Sequence, residues 1–248
     1  MRRIIVTERL GYDYPEGTRA LRDVDLEVGE GSKVAVIGPN GSGKTTLLNL
    51  LVGLLKPTAG EVLFEGRPLT YDRRTLSMVR RQVGVLFQNP DDQLFAPTVW
   101  QDVAFGPHNM GLPAGEVRSR VENALELMGV EGLRDKPPHL LSGGEKKRVA
   151  IAGLIATDPK VLLLDEPLGG LDMEGVDRLM DALELLNVEK GISLVYTGHS
   201  LDDLALWADE AYILREGMVV SRGRPGEMLL DRELLMGCGL IRKRRLSS

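Results

Sequence analysis

The chain has 248 residues, 43% hydrophobic and 27% charged, enough for one large α/β domain or one domain with a smaller insertion. Its net charge of −5 offers no global field for nucleic acid or an anionic membrane, so a phosphate ligand needs a local cluster of positive groups. A single cysteine, Cys238, excludes an intrachain disulfide, and no apolar run reaches the ~18 residues of a membrane span.

The first residues, "MRRIIVTERLGYDYPEG", hold only a three-residue apolar run, too short for a secretory signal. A reducing, cytosolic setting is therefore expected, with any membrane reached through a partner. "GYDYPEGTRALRDVDLEVGEGS" and "GEVLFEGRPLT" are punctuated by Gly and Pro and predict short antiparallel hairpins. "KVAVIG" (33–38) is almost continuously apolar, as in a strand covered on both faces. A helix follows in "GKTTLLNLLVGLLKP", with Pro57 as its expected end. "VGVLF" (83–87) predicts the next strand. Residues 90–141 are turn-rich at both ends and helical between, with Val117, Val121, Leu125 and Met128 on one stripe. Further strands are expected in "VLLLDEP" (161–167), "ISLVYTGH" (192–199) and "EAYILREG" (210–217).

This alternation predicts an α/β fold with a mostly parallel sheet and an N-terminal antiparallel β subdomain. A helical subdomain is expected at about 90–157, inserted in a single domain spanning 1–240. The tail 241–248 carries four consecutive basic residues at 242–245, read either as a solvated end or as a phosphate or lipid contact.

"GPNGSGKTT" satisfies G-x-x-x-x-G-K-[ST] over residues 38–45, between the strand and helix that the motif requires. Gly38 and Pro39 lead into it. Backbone N–H groups of Asn40, Gly41, Ser42, Gly43, Lys44 and Thr45 can wrap a pyrophosphate, and Gly41 and Gly43 allow the curvature. Lys44 brings one charge to the β/γ oxygens, and the Thr45 hydroxyl can ligate Mg²⁺. Asp165, behind four apolar residues of "VLLLDEP", is an expensive carboxylate unless it holds a cation such as Mg²⁺. Pro167 disfavours the α region at Glu166 and stops the strand, freeing Glu166 to act as a general base for water.

In "LLSGGEKKRVAIAG" (140–153), Ser142 and Glu145 form an S-x-x-E capping pair, yet Gly143 and Gly144 fill the first turn. First-turn positions tolerate glycine; equally, glycines there open the N–H groups of a helix N-terminus to an anion. Four further residues are ambiguous alone. Gln88 is a loop amide or a contact to Mg²⁺ or water; His199 is structural or bonds a γ-phosphate. Tyr14 is a packing residue or stacks on adenine, and Asp172 in "GGLD" is a turn residue until a site claims it.

Taken in order, these motifs resemble the ATP-binding-cassette (ABC) ATPases over about residues 3–228. The resemblance implies a P-loop NTPase core that binds ATP with Mg²⁺. Tyr14 then stacks on adenine, residues 38–46 (Thr46 included) bind the phosphates, and Gln88 is the Q-loop glutamine, catalytic and a Mg²⁺ contact beside Thr45 and Asp165. Ser142, Gly143, Gly144 and Glu145 form the signature, acting in trans on the nucleotide of a second ABC ATPase subunit. Asp172 lies in the D-loop and His199 is the switch histidine that steadies the γ-phosphate. ATP would glue two cassettes together, and hydrolysis by Glu166 would release them. A homodimer is simpler than a heterodimer. Integral membrane subunits would dock on the helical subdomain, with Gln88 reporting the γ-phosphate to them, which places the chain peripherally on the cytoplasmic face of the cell membrane.

The chain departs from the family at Gly169-Gly170, where Ser-Ala is common, and around His199, with Gly198 before it and Ser200 where Asp is frequent. "LFQNPDDQLFAPTVWQDVAFGPHNMGLP" is most similar to ATPases of energy-coupling-factor importers, including the cobalt and nickel type, which energise uptake of metal ions or vitamins. His108, His139 and His199 are scattered without ligand spacing, so the cargo is not expected on this chain. Other ABC importers or exporters differ only in their membrane partner. Non-transport relatives acting on DNA or ribosomes carry a long coiled-coil insertion or two cassettes, and this chain has neither.

Overall fold

The computed structural model describes residues 2–199 and 207–240. In chain order it contains β1 (Arg3–Asp13), β2 (Arg19–Gly29), β3 (Lys33–Ile37), α1 (Lys44–Leu51), β4 (Ala59–Phe64) and β5 (Arg67–Pro68). Next come α2 (Arg73–Gln82), β6 (Val83–Leu86), α3 (Val99–Asn109), α4 (Ala114–Leu127), α5 (Gly143–Ile155), β7 (Val161–Leu164) and α6 (Met173–Lys190). β8 (Ser193–Gly198), β9 (Glu210–Arg215), β10 (Met218–Gly223), α7 (Pro225–Met228) and α8 (Arg232–Gly237) complete it. Two compact units result: one of residues up to 76 together with those from 193 onward, the other of residues 77–192. No helix among the described residues is long and apolar enough to cross a membrane.

In the first unit an antiparallel sheet has the order β2-β1-β4-β5. Val24, Leu26 and Val28 of β2 are buried and alternate with more exposed neighbours, the period-2 pattern of a half-buried strand. β1 and β2 each run 11 residues, longer than the short hairpins expected, and β1 begins at Arg3. A bulge between Thr7 and Leu10 hides this length, because it breaks the alternation. The Thr7 hydroxyl bridges the break, donating to Val24 O and accepting from Leu26 N, each at 2.8 Å. Beside this sheet's residues in sequence, β3 pairs in parallel with both β8 and β9, and β10 closes antiparallel on β9.

α1 stops at Leu51, short of Pro57. Gly53 takes φ +69°, and Leu54 N and Leu55 N both turn back to Asn49 O, which ends the helix before the proline is reached.

In the second unit β6 and β7 pair in parallel from Val83↔Val161 to Leu86↔Leu164. α3, α4 and α5 pack on one another, burying Val103, Val121 and Val149, each worth roughly 1.5–3 kcal/mol. The stripe Val117, Val121, Leu125 and Met128 is buried as its spacing requires. The 18-residue α6 fills the interval between β7 and β8 where the alternation calls for a helix, whereas α2 and strand β10 were not anticipated from the sequence.

Asp102 lies on the buried face of α3, beside Val99 and Val103, and its Oδ2 accepts from Phe95 N at 3.0 Å and Ala96 N at 2.7 Å. Burial raises its pKa despite these two donors. A raised carboxylate pKa stabilises below the unfolded value and loses that contribution as pH rises through the folded value. Asp102→Asn keeps an acceptor without the charge, so urea denaturation at neutral pH should show it at least as stable as wild type, with wild type gaining on it as pH falls. Asp102→Ala should lose about 2 kcal/mol, because two amides lose their acceptor.

Candidate functional site

In the first unit the chain leaves β3 at Gly38, whose N–H donates to Gly198 O at 3.1 Å. A Cβ on Gly38 would lie 2.2 Å from Leu214 O, so only glycine fits. Gly41 and Gly43 take φ +76° and +105°, the left-handed curvature expected of them. The Lys44 side chain folds into this curve, donating to Gly38 O at 2.8 Å and Pro39 O at 3.1 Å. The lysine is 5% exposed, so its charge is concentrated inside the loop.

Gly43 precedes α1 as its N-cap residue, with no side-chain cap and no acid in the first turn, leaving the positive dipole end to an external anion. Ser42 Oγ is buried with no hydrogen-bond partner. An uncapped helix start, a buried ammonium and an orphaned hydroxyl together fit a phosphate group. Thr45 and Asn40 are exposed at the rim, and Thr46 is buried with its hydroxyl 3.0 Å from the Tyr14 hydroxyl. The half-buried Tyr14 ring meets Tyr12 edge-on at 4.9 Å. His199 follows β8, one residue after the Gly198 that receives Gly38, and is exposed. Ser200 and the basic tail 241–248 lie outside the described residues.

In the second unit, β6 and β7 deliver Gln88 and Glu166 to one place. The ladder continues one step as Asp165 N donates to Leu86 O at 3.0 Å, and the Gln88 amide then donates to Glu166 Oε2 at 3.0 Å. Asp165 is 3% exposed, a hard-oxygen donor of the kind Mg²⁺ takes. Glu166 sits at φ +49°, a left-handed conformation that a non-glycine residue adopts only under constraint. Beside it lies Lys147, which sequence reading missed: its Nζ donates to Glu166 O at 3.2 Å and Gly169 O at 2.6 Å. Burial pushes the Lys147 ammonium pKa down while the Glu166 charge opposes the shift. The signal was present in the sequence, since Lys147 falls on the same face of α5 as buried Ala150 and Ile151.

Ser142 caps α5 as expected: its Oγ accepts from Glu145 N at 3.3 Å, and Glu145 Oε2 accepts from Ser142 N at 2.8 Å. The Ser142 N–H lowers the Glu145 pKa. Ser142 and Gly143 are exposed, and a Cβ at Gly143 would meet nothing within 4 Å. The glycine is therefore not demanded by the chain's own packing. Asp172 caps α6 by accepting from Gly175 N at 2.9 Å. Of the Gly169-Gly170 pair only Gly170 takes positive φ, +76°, so the departure from Ala there has a conformational reason.

Residues 21–169 match the family model described as ABC transporter. The chain is 47% identical, over 96% of its length and 85% of the relative's, to the energy-coupling factor transporter ATP-binding protein EcfA of Methanocaldococcus jannaschii. It is 44% identical to EcfA3 of Clostridium perfringens over 94% of the chain and 81% of that protein. Among solved structures it is similar to cbiO1 from Clostridium perfringens, described as part of the ABC transporter complex cbiONQ. The TM-score is 0.86 and the identity 42%, covering 97% of this chain and 96% of that one. The dimeric bacterial ABC transporter cassette MJ0796 gives a TM-score of 0.82 at 31% identity, covering 90% and 99% of the respective chains.

Proposed function

The chain belongs to the ABC transporter family, and from that premise we propose that it energises import as the ATPase of an energy-coupling-factor type transporter. It binds ATP, hydrolyses it to ADP and phosphate, and couples hydrolysis to transport in association with a membrane. Such ATPases dimerise and work with membrane components. The observation that carries the reading is the phosphate cradle closed by buried Lys44.

On this reading residues 38–46 hold the ATP phosphates, Lys44 neutralises β/γ oxygens, and Tyr14 stacks on adenine. Thr45, Gln88 and Asp165 would hold Mg²⁺, which supplies charge neutralisation on the phosphate oxygens when bound. The Gln88 amide nitrogen is already given to Glu166, which leaves its oxygen for the cation. Glu166 accepts the proton of the attacking water and His199 steadies the γ-phosphate. Ser142, Gly143 and Gly144 reach the nucleotide of a second copy of the chain, with Glu145 holding their turn and Asp172 holding the D-loop. The single domain with its helical insertion at about 90–157 offers that insertion to integral membrane subunits at the cytoplasmic face. The cargo class is a cobalt or nickel ion or a vitamin, carried by those subunits.

The test is to tag the chain in its native cell, solubilise membranes in mild detergent and identify what co-purifies. A multi-span scaffold with a small substrate-binding membrane subunit is the expected result. Recovery only from the soluble fraction, with ribosomes or DNA, would overturn the transporter.

A further inference from the structure

We propose that Lys147 is a positioning residue for Glu166, an inference that rests on the reading of Glu166 as the base. It holds the backbone of residues 166–169 in the one conformation that turns the Glu166 carboxylate toward Gln88.

The cost of this turn is visible in the backbone. A non-glycine residue at φ +49° costs on the order of 1–3 kcal/mol, which contacts around Glu166 must offset. What holds it is the carbonyl of Glu166 itself, which accepts from both Gly169 N and Lys147 Nζ at 3.2 Å. The second carbonyl of the turn, Gly169 O, takes a shorter bond of 2.6 Å from the same ammonium. One cation thus ties both ends of the turn, and the left-handed conformation of Glu166, at its first end, is what lets it do so.

A packing role does not account for this lysine. It is 4% exposed, and an apolar side chain of similar length would fill the same space without the cost of burying a charge. The position also matters for coupling. Lys147 belongs to α5, whose first turn is the signature, and the adjacent Lys146 pairs with Asp91 at 2.6 Å in the turn that follows Gln88. Asn89 caps that turn by accepting from Asp91 N at 3.2 Å. From Gln88 the ring runs through Glu166, Lys147, Lys146 and Asp91 back to Asn89. Through Lys147 the orientation of Glu166 becomes a property of the signature helix as well as of its own strand.

The experiment is steady-state ATP hydrolysis by the full chain carrying Lys147→Met, Lys147→Arg or Lys147→Met with Glu166→Gln. Misplacing a catalytic group by about 1 Å can cost up to a hundredfold, so Lys147→Met should lower kcat roughly ten- to a hundredfold with KM for ATP within about twofold. Lys147→Arg keeps a buried cationic donor and should recover most of kcat. In the Glu166→Gln background Lys147→Met should change the residual rate by less than about twofold, since its effect passes through the lost carboxylate. If the methionine variant does not fold, Lys147→Gln is compared in the same two backgrounds. An unchanged kcat in folded Lys147→Met, or the same loss with and without Glu166, overturns the positioning role. Wild-type hydrolysis by Glu166→Gln alone would instead bring down the reading of Glu166 as the base, and the inference with it.

Discussion

Glu166→Gln should lower kcat for ATP hydrolysis by about three orders of magnitude and accumulate as a stable dimer with Mg-ATP. The substitution is isosteric, so the scaffold around it survives. An amide oxygen at position 166 can still accept from the Gln88 amide, now 3.0 Å from Glu166 Oε2. The Glu166 carbonyl accepts from Lys147 Nζ and Gly169 N, contacts that do not use the carboxylate oxygens. What disappears is the basicity that the proposed function assigns to Glu166 for taking a proton from water. On the proposed function, nucleotide binding rests on residues 38–46, where Lys44 is held by Gly38 and Pro39, and should be unaffected. Phosphate release measures the first effect, and light scattering after size exclusion at saturating Mg-ATP measures the second. A variant that remains monomeric there would sink the idea that ATP glues two cassettes.

The backbone curve of residues 38–46 was legible because its chemistry is local. Gly41 and Gly43 are needed for backbone φ values of +76° and +105°, and nine consecutive residues carry both the shape and the charge. The five strands placed from apolar runs, β3, β6, β7, β8 and β9, were legible for a related reason, since burial on both faces leaves continuous apolar sequence. The capping pair Ser142 and Glu145 was readable from three-residue spacing alone.

What escaped the sequence depends on partners far along the chain. The end of α1 is one case: the apolar run continues past Leu51, and Pro57 looks like the stop. Gly53 ends the helix earlier, in a spot where a Cβ would lie 2.6 Å from Leu76 Cδ2. That proximity is set by packing across more than twenty residues and has no local signature. Glu166 is another. Pro167 announces the end of the strand but not the left-handed well that follows, which is set by a lysine 19 residues earlier. Lys147 and Asp102 share a lesson. Each is a charge on an apolar helical stripe, a pattern that marks a buried polar contact without naming its partner. Tyr14 shows the converse, because its motif position suggests a ligand while its hydroxyl already has Thr46.

Ser142→Arg should abolish hydrolysis, by about a hundredfold or more, while leaving the affinity for ATP within about threefold. The two sides of that split come from different parts of the chain. On the proposed function ATP affinity is set by residues 38–46, which the substitution does not alter. On that same proposal, hydrolysis needs the signature of the opposite copy; Ser142 and Gly143 are exposed, and Gly143 has open space above it. An arginine there fills that space and puts a cation at a helix N-terminus, the wrong sign for the dipole. Loss of the cap costs about 1 kcal/mol, a few degrees in Tm for a chain of this size, so thermal melting separates misfolding from loss of contact. Mixing gives the sharper measurement. Lys44→Ala should be inactive because its own cradle is empty of charge, yet its signature is intact. A dimer of Lys44→Ala with Ser142→Arg contains one site with a sound cradle and a sound signature. Random pairing of two symmetric copies should therefore restore up to about a quarter of wild-type turnover from two variants that are each inactive. Turnover in the mixture no greater than the sum of the separate variants would mean that Ser142 does not act on a second copy of this chain.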